Sequence, residues 1–244
     1  MKRVPAPGAR INLTPDGKAI DARHLSFTVS PHEECAVEEA IRVKEKQGGM
    51  VTVMALGPAE AEEQLRYAVS VGADEAVLLA TDGSDWDPQA TAAALATRIK
   101  EFEPFDLILF GNESADSGGY QVGIRVAHAL GWPVISGIKG LEIAEGTVTA
   151  RRETGSGFEV YRLPLPAVVA VKEGINLPRY PTLPGRLRAK KAEVVMTPAA
   201  ATPGGLIMDR LDTPPEQKSA TTILGRGPEA AAAVVDLFEQ LGVI

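Results

Sequence analysis

The sequence predicts an α/β fold: a doubly wound, mainly parallel sheet with an antiparallel extension and an extended C-terminal arm ending in a helix. Three observations predict it. Between residues 51 and 136, short apolar runs alternate with stretches of helical spacing about 10–15 residues long, the pattern of parallel βαβ units. From 137 onward strand-like runs are separated by glycine and acidic turns, which reads as antiparallel hairpins. After residue 192 a Pro/Ala/Thr/Gly-rich stretch, about 195–226, has no periodicity and leads into an amphipathic segment.

Taken in order, the chain opens "MKRVPAPGARINL", with no apolar run of strand length before Pro5. The first strand of a doubly wound sheet normally lies near its centre, so either it comes late or it is borrowed from elsewhere. "SPHEECAVEEAIRVKEKQGG" (30–49) is a helix start: Ser30 fits the N-cap, Pro31 the first helical position, and Glu33 completes a capping box. Val37 and Ile41 face the core, and Cys35 reads as a small buried hydrophobe. "VTVMAL" (51–56) is a strand, followed by the Gly57-Pro58 turn and a helix over 59–71 that stops at Gly72. "EAVLLA" (75–80) is a second strand and 88–102 a second helix. "DLILF" (106–110) is a third strand, a helix follows over about 119–130, and "PVIS" (133–136) is a further strand. Right-handed crossovers place helices on both faces. Hairpins lead back to the buried strand "AVVAVK" (167–172), and the last helix spans about 228–241, between Pro228 and Gly242. Its stripe of Ala231, Val234, Val235, Phe238 and Leu241 follows a long structureless connection, which favours docking on another chain.

Residues 174–191, "GINLPRYPTLPGRLRAKK", stand apart. Pro178, Pro181 and Pro184 recur every three residues around Tyr180 and Leu183, and Arg186, Arg188, Lys190 and Lys191 follow. Prolines fix φ and lack a donor, which excludes a helix interior or central strand and predicts a stiffened loop. A basic run is most often a solvated face; beside this loop it points to an acidic partner.

Composition excludes several functions. The 244 residues carry a net charge of −7, against a general nucleic-acid or anionic-membrane surface. One cysteine rules out an internal disulfide or a cysteine metal cage. No apolar run reaches the roughly 20 residues of a membrane span, and no signal peptide is read at the start, so the default setting is cytoplasmic. No GxxxxGK[ST], helix-opening GxGxxG or GxSxG occurs, and His24, His32 and His128 share no metal spacing. Asp85, Asp87 and Asp116 read as turn and cap residues, which leaves no catalytic constellation.

Two stretches can bind a nucleotide. At Ser30–Glu33 the unpaired N–H groups of a helix start suit a phosphate or ribose, against which Glu33 and Glu34 would repel a phosphate; a plain surface helix explains the same residues. In "LILFGNESADSGGYQVG" (107–123) a buried strand ends at Phe110, and Gly111, Gly118, Gly119 and Gly123 bracket an unusually long turn into a helix. Asn112, Asp116 and Gln121 can offer hydrogen bonds there, at the carboxyl end of a parallel strand.

Together "KRVPAPGARI", "AVEEAIRVKEK", "ALGPAEAEEQLRYAVSVGADEAVLL", "SADSGGYQVG", "LGWP" and above all "NLPRYPTLPGRLRAKK" resemble the β subunit of electron transfer flavoprotein over nearly the whole chain. The resemblance implies an adenine nucleotide α-hydrolase-like fold, and a heterodimer whose α subunit holds the redox-active FAD. It implies AMP, or a second FAD in the bifurcating branch, at Ser30, Pro31, His32, Glu33, Leu56, Gly57, Gly111, Asn112, Asp116, Ser117, Gly118, Gly119, Tyr120, Gln121 and Val122. It makes 174–191 the recognition loop, with Leu183 as anchor for acyl-CoA or related dehydrogenases. Tyr180, Pro184, Arg186, Arg188, Lys190 and Lys191 would support it. Electrons would pass on through a quinone oxidoreductase, in fatty acid β-oxidation; the chain itself is a carrier subunit and not an enzyme. Residues 1–192 would form the nucleotide-binding domain and 193–244 an arm and helix packed on the α subunit. Departures from the family are Ser30 where Asn is frequent, the Gly118-Gly119 pair in place of polar residues, and Pro7 where some relatives have an aromatic near the flavin. The family's first strand is expected just upstream of Met1. Rival readings are a stand-alone adenine-nucleotide hydrolase or transferase, which needs a catalytic residue near Asp116, and a nucleotide-sensing homodimer, which leaves the proline stretch unexplained.

Overall fold

The structure, a computed structural model, describes residues 1–84, 86–102, 104–200, 205–215 and 221–244. Asp85 and parts of the 195–226 arm lie outside the described residues. Two parallel systems form the frame. Strands β3 (Thr52–Gly57), β4 (Glu75–Ala80) and β10 (Val194–Pro198) make a sheet in the order β10-β4-β3. Strands β5 (Leu107–Gly111), β6 (Val134–Ala144), β7 (Thr147–Thr154), β8 (Gly157–Pro164) and β9 (Ala167–Val171) make a second, in the order β5-β9-β6-β7-β8. β5, β9 and the first part of β6 are parallel, and β6 to β8 form an antiparallel meander. The expected antiparallel extension is thus one long bent strand followed by two more.

Period-two alternation explains why both faces are covered. Val53, Ala55, Ala76 and Leu78 pack against Leu65, Ala68 and Val69 of α2 (Glu62–Val71) and Val37 and Ile41 of α1 (Pro31–Gln47). Met54, Leu56 and Leu79 point the other way, onto α3 (Pro88–Glu101) and α4 (Val122–Leu130). α1 also reaches the second sheet through Cys35 and Ala36, which pack with Ile135, Val169 and Val171. Cys35 is buried, as its neighbours imply, and Asp87 caps α3 by accepting from Ala90 N at 2.7 Å.

Four expectations are corrected. The short strand at 133–136 is the start of β6, which bends at Gly137 (φ +73°) where its register shifts between Ile135 and Ile138. Glycine supplies that left-handed step, and the bulge turns the strand from β9 toward β7. Residues 183–191 are not a loop: Thr182 accepts from Gly185 N, and α5 (Leu183–Lys191) runs through the four cations. Pro184 stands in its first turn, where no N–H partner is needed, so the proline stops nothing. The aperiodic arm begins as β10, an edge strand parallel to β4, whose short apolar run Val194-Val195-Met196 merges into the Pro/Ala/Thr-rich stretch that follows. Near the start, β1 (Arg3–Pro5) pairs antiparallel with β2 (Phe27–Val29), a three-residue ribbon too short for periodicity to reveal.

Among the described residues beyond β10, the arm touches the rest near Leu206 and Leu211. Leu206 N donates to Asp87 Oδ2 at 2.8 Å and Leu211 N to Gly17 O at 2.8 Å. The last helix, α6 (Ala231–Gln240), buries none of its residues, and Val235, Phe238 and, just past its end, Leu241 are exposed.

Candidate functional site

The candidate site lies at the end of β5, where the start of α1 meets the loop that follows the strand. Met1 and Lys2 join β3 to it: the Met1 ammonium donates to Met54 O at 2.6 Å and Lys2 N to Glu33 Oε2 at 3.0 Å. α1 enters here. Ser30 is its N-cap by position, yet the predicted capping box does not form. The Ser30 hydroxyl instead donates to Glu113 O at 3.2 Å, tying α1 to the loop after β5, and Glu33 turns toward Met1 and Lys2. Burial pushes the Glu33 carboxyl up from its ordinary value, against the pull of the Met1 ammonium and the Lys2 N–H. His32 Nε2 lies 3.2 Å from Glu113 Oε1, while its buried Nδ1 has no partner.

Gly111 explains how closely these parts meet. A Cβ there would lie 2.6 Å from Glu33 Cγ and 2.8 Å from Glu33 N, so only glycine lets the start of α1 rest on the end of β5. Asn112 continues the strand, its N–H donating to Val171 O at 2.8 Å. The loop then folds on itself: the Ser114 and Ser117 hydroxyls are 2.8 Å apart, and Gly118 N donates to Ser114 O. Lys2 Nζ reaches across the gap to Asp116 Oδ2 at 2.6 Å. Burial raises the Asp116 carboxyl, but Lys2, Ser114 and the Ser117 N–H outweigh it and hold it below its usual range. Gly118 (φ +54°) and Tyr120 (φ +55°) take left-handed backbone on either side of Gly119. Left-handed backbone is uncommon for a tyrosine and marks the loop as a special conformation.

α4 starts next to this loop. Neither α1 nor α4 has a side-chain cap on its first N–H groups, whereas α3 and α5 are capped by Asp87 and Thr182. Uncapped N–H groups at the carboxyl end of parallel strands suit an anion. Three predicted residues stand apart: Leu56 and Val122 turn into the core with α3 and α4, and exposed Gln121 accepts from Arg125. Gly57 ends β3 beside Ala61.

The second predicted site is the 174–191 segment. Leu177, Tyr180 and Leu183 are 84%, 91% and 73% exposed, and Leu187, one turn beyond Leu183, is exposed too. The backbone beneath is fixed. Asn176 Nδ2 donates to Cys35 O and Glu39 Oε2, both at 2.9 Å. Arg179 pairs with Glu38 and Glu45 of α1. α5 rests on α2: Arg188 donates to Val69 O at 2.7 Å, so it is a tether, and Arg66 donates to Ala189 O and Ala192 O. Pro184 is exposed in the first turn, and Arg186, Lys190 and Lys191 are exposed along the helix.

The Electron transfer flavoprotein domain model matches residues 19–202. Among curated relatives, the electron transfer flavoprotein subunit beta of Bacillus subtilis (strain 168) is 35% identical over 223 residues, 88% of this chain and 86% of the relative. That of Syntrophomonas wolfei is 38% identical over 225 residues, covering 92% and 87%. That of Mycobacterium tuberculosis (strain ATCC 25618 / H37Rv) is 37% identical over 202 residues, covering 80% and 76%. The chain belongs to the electron transfer flavoprotein β-subunit family. As a member of that family it is one subunit of a flavoprotein pair, and the matched span takes in the start of α1, the glycine loop and the proline segment. Among the described residues no helix is long and apolar enough to cross a membrane, and no three His, Cys, Asp or Glu side chains are grouped to hold a metal.

Sequence reading missed Lys2, which bridges the loop, and the clamp of Arg179 on Glu38. The signal for the clamp was present: Glu38, Arg42 and Glu45 recur on one face of an otherwise core-facing helix, opposite an arginine inside the proline motif.

Proposed function

We propose that this chain is the AMP-holding, partner-docking subunit of a cytoplasmic heterodimeric electron transfer flavoprotein. It receives electrons from acyl-CoA or related dehydrogenases, as in fatty acid β-oxidation, and delivers them toward a quinone oxidoreductase. The observation that carries the reading is the coexistence of two separate features on α1. Its uncapped start, with Gly111 and the 112–121 loop, supports binding of a nucleotide phosphate. Its outer face carries the segment that displays Leu177, Tyr180 and Leu183.

The residues present fit AMP. The unpartnered His32 Nδ1, the His32 N–H of α1, the first N–H groups of α4 and the Gly118–Tyr120 turn offer polar partners beyond the end of β5. FAD, held with the α subunit, supplies the redox chemistry of the complex when bound. This chain's own residues hold AMP and dock the partner, so it is a carrier subunit without catalysis of its own. Leu183 is the anchor of the docking surface and Tyr180 its support. The exposed cations Arg186, Lys190 and Lys191 steer an acidic partner surface toward it. Residues 193–244 supply the arm, and α6 packs its apolar stripe on the α subunit.

The test is to co-express the chain with its α subunit, purify the complex, and identify the released nucleotides by chromatography and mass. One FAD and one AMP per complex is the expected result. Two FAD would move the complex to the bifurcating branch, and a complex with FAD alone would refute the nucleotide site.

A further inference from the structure

We infer that Arg179 is a positioning residue for the docking surface: clamped by Glu38 and Glu45 of α1, it holds the 174–182 segment so that its apolar side chains stand outward. The inference rests on the proposed docking role of that segment. The geometry is specific. Arg179 Nε donates to Glu38 Oε2 at 2.8 Å and Nη2 to Oε1 at 3.1 Å, a bidentate pair, and its backbone N–H reaches the same carboxylate at 3.2 Å. The far side of the guanidinium meets Glu45 at 2.5 and 3.0 Å. Glu38 is only 4% exposed and also accepts from Arg42 at 2.7 Å. Burial raises the Glu38 carboxyl, yet Arg179 and Arg42 hold it below its usual range, and Glu45 and Glu38 raise the guanidinium of Arg179.

This is not a loose surface ion pair. One partner is buried and shared between two arginines, and the arginine contacts two carboxylates. Three residues upstream, Asn176 is fastened to Cys35 O and Glu39 on the same helix. Polar side chains of the segment point down at 176 and 179, and apolar ones point out at 177 and 180, where Leu177 and Tyr180 are almost fully exposed. Ordinary burial would turn these two inward; the downward anchors hold them out. A partner then meets a surface already ordered, which lowers the ordering cost of docking. Because α1 also begins at the candidate nucleotide site, one helix supports both.

The experiment uses the holo complex with its α subunit and an acyl-CoA dehydrogenase of the same organism, reduced with its acyl-CoA substrate. Flavin reduction is followed as a function of complex concentration for wild type, Arg179→Gln, Glu38→Gln, the double variant, Arg179→Lys and Leu183→Ala. Arg179→Gln and Glu38→Gln should each raise KM about tenfold at an unchanged limiting rate. The double variant should be no worse than either single one, because both break the same link. Arg179→Lys, which keeps a charge beside Glu38 but loses the fork and the second carboxylate, should fall between wild type and Arg179→Gln. Buried Glu38 cannot touch a partner, so its effect separates positioning from direct contact. An unchanged KM in both Gln variants, or a fall in limiting rate instead, overturns the inference. If Leu183→Ala is silent as well, the docking reading fails; if Leu183→Ala raises KM and the clamp variants do not, only the clamp fails. Should the buried variants not fold, Glu45→Gln removes the exposed half alone: a rise of about threefold supports the clamp, and no rise overturns it.

Discussion

Gly185→Ala tests whether α5 is seated on α2 or merely helical in solvent, because the two cases predict opposite signs. In an exposed helix interior, alanine in place of glycine stabilises by about 1 kcal/mol. In this structure Gly185 is buried, and an added Cβ would overlap the Ser70 carbonyl oxygen at the end of α2. Backbone cannot swing aside as a flexible side chain can, and Thr182 Oγ1, the cap of α5, lies 3.2 Å from the same Cβ. Overpacking of this kind costs about 1–3 kcal/mol. Lifting α5 also strains the Arg188 bond to Val69 O and the Arg66 bonds to Ala189 O and Ala192 O. Subtracting the helix gain leaves a destabilisation of about 0–2 kcal/mol from overpacking alone, and the strained hydrogen bonds add to it. For a chain of this size a loss of about 2 kcal/mol lowers Tm by roughly 4–8 °C. Thermal melting of the purified complex, followed by circular dichroism, reads it directly. A variant that melts higher than wild type would refute the seating of α5 on α2.

Further predictions concern the nucleotide site and the cations. Gly111→Ala should drive the start of α1 off β5 and cut the bound nucleotide, whereas Gly119→Ala, whose nearest neighbour is Pro88 Cγ at 3.9 Å, should retain it; equal nucleotide content in both would count against the site. Glu33 has a folded pKa raised above its unfolded value. Its contribution is therefore fully present below the unfolded pKa of about 4.3 and lost as pH rises through the folded one. Glu33→Gln should accordingly melt above wild type at pH 7, with the difference closing as pH falls toward about 4.3; a lower Tm at pH 7 would show that the Met1 ion pair dominates. Replacing Lys190 and Lys191 by Gln should slow association with the dehydrogenase several-fold at low salt and little at high salt, read by stopped-flow. A salt-independent effect would assign those lysines to contact and not steering.

Much of the frame was legible because its elements are long and their periods clean. β3, β4, β5 and β9 are uninterrupted apolar runs, and α2 and α3 carry their start and stop residues in the sequence. The strands that escaped had no such period: β1 and β2 have three residues each, and β10 is held by β4 at an exposed edge. Pro184 misled by its type, since a proline in the first turn begins a helix as readily as it ends one. At the candidate site, glycine spacing revealed the loop, but the fates of Ser30 and Glu33 depended on tertiary partners. Glu113 and the first two residues took the hydrogen bonds that a capping box would have used. Lys2 and Asp116 are 114 positions apart in sequence, so nothing local joins them. The exposure of Leu183 was legible within its motif, whereas Leu187 became its neighbour only once 183–191 proved helical.

The most direct measurement of the docking claim is stopped-flow reduction of the complex by an acyl-CoA dehydrogenase, comparing wild type with Leu183→Ala at equal FAD and AMP content. Leu183 is 73% exposed and contributes little to the core, so its loss should leave Tm and cofactors unchanged while reduction at low complex concentration slows tenfold or more. Reduction at the wild-type rate, with cofactors intact, would contradict the account.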